Sequence, residues 1–114
     1  MKECLFCKIA NKKIASNIIR ENKNIIAFKD VNPVAPNHIL IIPKAHISDT
    51  TKINEKNSFL ISEMALMANQ IINDYNEKEN GCRWVINTGE YGGQTVFHLH
   101  MHLIMGRKLT WPPG

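Results

Sequence analysis

Gln94-Thr95-Val96-Phe97-His98-Leu99-His100-Met101-His102-Leu103-Ile104 is the stretch on which the reading of this chain turns. Large apolar residues stand at 97, 99, 101 and 103, and histidines at 98, 100 and 102. Strict alternation is the period of a strand, whose successive side chains point to opposite faces. A strand over 96–105 would carry the three imidazoles in a row, ~6.5–7 Å apart, behind an apolar face packed on a core. A helix would scatter them around its axis. A lone strand histidine is ordinary surface polarity, and alternating histidines also occur in adventitious metal tracts. Three in register beside the glycine-rich pair Gly92-Gly93 point instead to chemistry. Imidazole, with an ordinary pKa near ~6.5, serves as nucleophile, acid or phosphate ligand. Glycines let backbone N–H groups approach a phosphate closely. The row therefore suits a phosphate ester or amide.

The flanking sequence supplies the rest of an α+β domain. Residues 24–30 (NIIAFKD) and 38–43 (HILIIP) read as strands, the first broken by Asn32-Pro33. Residues 5–13 fit a short helix, and 50–56 read as a polar loop. Leu60, Met64, Met67, Ile71 and Tyr75 recur every three or four residues, the apolar face of one long helix. Asn57 or Ser58 would cap its start, and Asn80-Gly81 would end it in the left-handed region. Residues 82–87 (CRWVIN) read as a strand, and 111–114 (WPPG) as an irregular tail. Short connections without crossover helices favour antiparallel pairing.

The composition excludes several classes. At 114 residues the chain holds one domain, 1–114, with enough surface buried to form a core. Apolar residues make up 44% and charged residues 21%, with 6 Gly and 5 Pro, which argues against collagen and low-complexity disorder. No apolar run approaches ~20 residues, and the N-terminus lacks the apolar segment of a secretory signal, so a cytoplasmic protein with no membrane association is expected. The net charge of +4 comes from scattered lysines and arginines without a basic stripe, so no nucleic-acid partner is expected. Three cysteines, an odd number, fit a reducing compartment.

The run from Gly92 to His102 resembles the signature of the histidine triad (HIT) superfamily. So do Phe6-Cys7-Lys8-Ile9, Ala27 to Pro33, Pro36-Asn37-His38, and Ile42 to Ser48. The terminal Trp111-Pro112-Pro113-Gly114 is similar to the Hint branch of purine nucleoside phosphoramidases. The resemblance covers nearly the whole chain. It implies a five-stranded antiparallel sheet with one long and one short helix, and a homodimer whose sheets join into ten strands. It also implies hydrolysis of purine nucleoside 5′-phosphoramidates with no cofactor required for catalysis. By the same resemblance His100 is the nucleophile, His102 contacts the phosphate oxygens, and the carbonyl of His98 fixes the tautomer of His100. Thr95 assists the leaving amine. Asn87 and the amide of Gly93 cradle the phosphate, and Asp30 takes the ribose hydroxyls. Leu5, Phe6, Ile9, Phe28 and Val31 match the base pocket, although plain core packing explains them as well. His38 matches a histidine behind the triad, and Trp111 would reach the partner's active site.

Cys4-x-x-Cys7 is similar to the pair in zinc-bearing relatives, which implies a Cys2His2 site of Cys4, Cys7, His46 and His98. A redox pair and two free thiols are the other readings. Cys82 reads as a small buried apolar residue.

Thr95 stands where the Hint branch has serine and matches the dinucleotide-hydrolase branch. A dinucleoside polyphosphate hydrolase is therefore the rival activity, although the WPPG tail argues against it. A non-catalytic nucleotide-binding or interaction module would not need to retain a nucleophile. A purely structural zinc domain would leave His100 and His102 unexplained.

Overall fold

The strands read from the runs 24–30 and 38–43 have neither face in solvent. The computed structural model describes residues 4–114. Its elements, in chain order, are α1 (Leu5–Ala10), β1 (Ile18–Glu21), β2 (Ile25–Lys29), β3 (Asn37–Pro43), a 3-10 turn (Thr50–Lys52), α2 (Phe59–Asp74), β4 (Arg83–Val85), α3 (Gly89–Gly92) and β5 (Met101–Met105). The five strands form one antiparallel sheet in the order β1-β2-β3-β5-β4.

The parity of the strand residues divides the interior in two. Ile25, Ala27, Ile39, Ile41, Met101, Leu103 and Met105 meet Leu60, Met64, Met67, Ala68 and Ile71 of α2 in the larger core. The alternate residues Ile26, Phe28, Leu40 and Ile42 meet Phe6, Ile9 and Ala10 of α1 on the other face. A strand covered on both faces has no polar face to alternate, which is why β2 and β3 read as nearly continuous apolar runs.

Several expected boundaries shift. β5 begins at Met101, so 96–100 is not strand, and Phe97, expected in the core, is 51% exposed. Helix α1 stops at Ala10, three residues early, and Lys12 adopts φ 62°. Helix α2 ends at Asp74, with Asn76 at φ 56°. The Asn76 N–H donates to the Asn73 carbonyl (3.1 Å) and the Glu77 N–H to that of Ile72 (3.1 Å), a Schellman closure six residues before the expected Asn80-Gly81 stop. Ser58 is its N-cap residue without a side-chain cap bond. Residues 50–52 form a 3-10 turn within the expected loop. The strand at 82–87 shrinks to 83–85, and Cys82, expected to be buried, is exposed just before it. The glycine loop contains one helical turn, α3. No helix among the described residues is long and apolar enough to cross a membrane.

Candidate functional site

Antiparallel register sets His102 opposite Leu40 of β3 and Val85 of β4, on the α1 face of the sheet. Upstream of Met101 the ladder stops, and specific bonds take over. The Leu99 N–H donates to the Ile47 carbonyl at 2.6 Å. Buried Gln94 donates to the carbonyls of Ser48 (2.8 Å) and Val96 (3.1 Å) and accepts from the Gly89 N–H (2.9 Å). The His100 and His102 ring centroids are 5.1 Å apart, closer than the ~6.5–7 Å expected of a regular strand row.

Each buried imidazole has its proton assigned by what it faces. His98 Nε2 lies 2.8 Å from the Pro43 carbonyl, which can only accept, so this nitrogen carries the proton and Nδ1 keeps its lone pair. His100 Nδ1 lies 2.7 Å from the His98 carbonyl and by the same logic is protonated, so in the neutral ring the lone pair is on Nε2. The Val34 N–H donates to His38 Nδ1 at 3.1 Å, so neutral His38 carries its proton on Nε2, 2.9 Å from His102 Nδ1 and 3.3 Å from Asp30 Oδ2. Burial pushes His98 and His102 each down to about 4. Next in effect are the accepting carbonyl of Pro43, which opposes the shift at His98, and the neighbouring His100, which reinforces it at His102. Burial also lowers His38, against the pull of Asp30. These three rings favour the neutral form.

His100 and His102 line a cleft of about 800 Å³ together with Leu5, Phe6, Ile9, Phe28, Asp30, Val31 and Thr95. That volume suits a small organic ligand, and the walls are apolar with a few polar groups. Phe6 is its pivot. Its ring stands edge-on to His100 (centroids 5.1 Å, 89°) and to Phe28 (5.5 Å, 74°). Val31, 89% exposed, and half-exposed Leu5 belong to the rim, while Phe6, Ile9 and Phe28 are buried.

A second constellation sits at the start of α1. Cys4 is the N-cap of the helix, its Sγ accepting from the Cys7 N–H at 3.3 Å. The ligand atoms of Cys4, Cys7, His46 and His98 all lie within 4.8 Å of one another. A tetrahedron with Zn–S of ~2.3 Å and Zn–N of ~2.0–2.1 Å requires S···N near ~3.6 Å and N···N near ~3.4 Å. The observed separations are 3.4 Å (Cys4 Sγ to His98 Nδ1), 3.3 Å (Cys7 Sγ to His46 Nδ1), 3.5 Å (Cys7 Sγ to His98 Nδ1) and 3.3 Å (His46 Nδ1 to His98 Nδ1). The bond to Pro43 also fixes His98 in the tautomer a ligand needs. Burial, and then the adjacent Cys4, push the Cys7 thiol up to about 11. The four residues can hold a metal ion.

The remaining expected site residues lie elsewhere within a single chain. Asn87 lines a different cavity, with Arg83, Gly92 and Arg107. Gly93, at φ 87°, and Trp111, 80% exposed, line neither cavity. Sequence reasoning missed two groups that orient the rings, the Pro43 carbonyl and the Val34 amide, and a third, the Gln94 side chain, that braces the backbone leading to them. The first two are backbone atoms, which sequence does not advertise. Gln94 had only its position inside the motif as a signal.

Residues 3–110 match the family described as scavenger mRNA decapping enzyme C-term binding. The chain is 45% identical over 105 residues to an uncharacterized HIT-like protein of Buchnera aphidicola, covering 92% of each chain. It is 39% identical over 112 residues to a 14 kDa zinc-binding protein of Zea mays, covering 96% of this chain and 87% of that protein. The crystal structure of a HIT family hydrolase from Legionella pneumophila superposes with a TM-score of 0.96 at 45% identity, covering 98% of this chain and 100% of that one.

Proposed function

We propose, from the premise that the chain belongs to the histidine triad (HIT) family, that it hydrolyses the P–N bond of purine nucleoside 5′-phosphoramidates through a nucleotidyl-histidine. The observation that carries this reading is the bond from His100 Nδ1–H to the His98 carbonyl, in a ring that lines the cleft. It puts the lone pair of the neutral His100 ring on Nε2, and an imidazole lone pair attacks phosphorus without a base to activate it. As the N–P bond to His100 Nε2 forms, the bond from phosphorus to the amine nitrogen breaks, and that nitrogen takes a proton from solvent water, with the Thr95 hydroxyl beside it to pass it on. Water then attacks the same phosphorus, releases the nucleoside monophosphate and restores His100. His102 donates a hydrogen bond to the phosphoryl oxygens as charge builds on them. Asp30 accepts the ribose hydroxyls, and Phe6, Ile9 and Phe28 enclose the base.

The Cys4, Cys7, His46, His98 set is read as a zinc site, supported by its ligand separations and by the zinc-binding name of the maize relative. When bound, the ion would tie the start of α1 to His98 and would take no part in the chemistry. The chain works as one domain in a homodimer with a joined ten-stranded sheet. The tail from Trp111 lies over the partner's cleft, and Asn87 and Gly93 complete the phosphate cradle.

Turnover of adenosine 5′-phosphoramidate measured beside a diadenosine polyphosphate tests the reading. Faster phosphoramidate hydrolysis is expected. Thr95, which lines the cleft, favours a second reading as a dinucleoside polyphosphate hydrolase, and the reverse preference would establish that one. No turnover of either would leave a nucleotide-binding module.

A further inference from the structure

His38 is buried, lies outside the cleft lining and has no step of its own in the proposed reaction. Its surroundings nevertheless fix its protonation completely. Nδ1 accepts from the Val34 N–H, and a cationic ring would set two donors face to face there. The single N–H, on Nε2, therefore faces two acceptors at once: His102 Nδ1 at 2.9 Å and Asp30 Oδ2 at 3.3 Å. The other oxygen of Asp30 is engaged by the Asn32 N–H at 2.8 Å. The residue whose N–H sets this pattern is itself held through its carbonyl. Arg107 Nε donates to the Val34 carbonyl at 2.9 Å, and Gly106, at φ 103°, lies so close to Pro36 that an added Cβ would come within 2.9 Å of that ring's Cβ. The loop between β2 and β3 is thus clamped by the residues just beyond β5.

Two consequences follow. While His38 donates, His102 Nδ1 must accept, so neutral His102 carries its proton on Nε2 and is a neutral donor, not a cation. The Asp30 carboxylate competes for the same hydrogen, so whatever occupies that carboxylate changes how much of the hydrogen His102 receives.

We propose that His38 is a positioning residue that locks His102 as an Nε2–H donor and passes the occupancy of Asp30 by a ribose diol on to it. The link rests on the assignment of Asp30 and His102 to ribose and phosphate in the proposed function. A diol donating to Asp30 Oδ2 weakens that oxygen as an acceptor from His38. The shared hydrogen moves toward His102, and the phosphate donor is polarised only when a nucleotide with an intact ribose is seated. The burial that pushes His102 down to about 4 acts in the same direction.

Imidazole 15N spectra of histidine-labelled protein test the lock without any turnover. In the wild type, His102 is expected as the Nε2–H tautomer. Adenosine monophosphate should shift His38 Nε2 and His102 Nδ1, and 2′,3′-dideoxyadenosine monophosphate, bound to saturation, should leave His38 Nε2 in place and shift His102 Nδ1 clearly less, through its phosphate alone. An Nδ1–H tautomer at His102, or equal shifts with both nucleotides, would overturn the proposal with no variant required. His38→Leu should release the tautomer and lower kcat about 10- to 100-fold, less than removing a donor outright, with KM within about 3-fold. His38→Gln, which returns an N–H near the same place, should recover most of the loss. Retention of full kcat by His38→Leu sinks the proposal and leaves the proposed function standing. A wild type that cleaves no phosphoramidate sinks the proposed function, and the nitrogen shifts still decide the lock.

Discussion

The Nδ1 of His100 sits 2.7 Å from the carbonyl oxygen of His98, and the side chain of that same His98 faces Cys4, Cys7 and His46. One residue thus joins the candidate metal centre to the candidate nucleophile, its backbone serving one and its ring the other.

If His100 is the nucleophile, no neighbour replaces it, because His102 is held by His38 and His98 by Pro43. His100→Asn should fold and bind adenosine monophosphate within a few-fold of wild type in calorimetry. Phosphoramidate turnover should fall at least ~10³-fold, about 4 kcal/mol of transition-state stabilisation. Label trapped on a histidine during wild-type turnover, acid-labile and base-stable, should vanish in this variant. Label on Thr95 would contradict the mechanism.

Elemental analysis of metal-replete protein should find about one zinc per chain. Cys4→Ser with Cys7→Ser should remove it and lower the melting temperature, since the binding energy of such a site adds to folding. Some activity should survive, because no reacting atom is lost. Zinc persisting in the double variant would put the ligands elsewhere.

Acid should destabilise metal-free protein through its buried rings. His98 and His102 are near 4 in the folded state against 6.5 when unfolded, and His38 is lowered as well. Between those values the unfolded chain binds more protons, so stability rises with pH. The contribution is complete above about 6.5 and is lost as pH falls toward 4. A melting temperature that stays level from pH 7 to 4 in chelator would refute the neutral assignment.

Trp111, 80% exposed in one chain, gives the tail a reason to seek a partner surface. Sedimentation at micromolar concentration should report a dimer, and Trp111→Ala should alter the ranking of amine leaving groups. A monomer, or an unchanged ranking, would remove the tail from substrate selection.

The parts of the fold that a short period encodes were legible. The α2 face of Leu60, Met64, Met67 and Ile71 is buried as its spacing required, and β2 and β3 lie within a residue of their apolar runs. Strand β1 had no such signal, because an edge strand carrying Arg20 and Glu21 exchanges apolar residues for charge. The αL stop at Asn76 was masked by the stronger Asn80-Gly81 pair. In the site, residue types were legible and orientation was not. The Val34 amide and Pro43 carbonyl act on residues four and 55 positions away through backbone atoms common to every sequence.

The two-sided use of β5 has a bearing on quality control during folding. Met101, Leu103 and Met105 fill the α2 core while His102 faces α1, so a slip of one residue would exchange them. An imidazole would then enter an apolar interior without a partner, at a cost of several kcal/mol, and the methionines would face the cleft. Core and cleft read the same register, so a misthreaded strand is unstable and inert together. Measured activity therefore counts correctly registered molecules, and partly active misfolded forms should not accumulate.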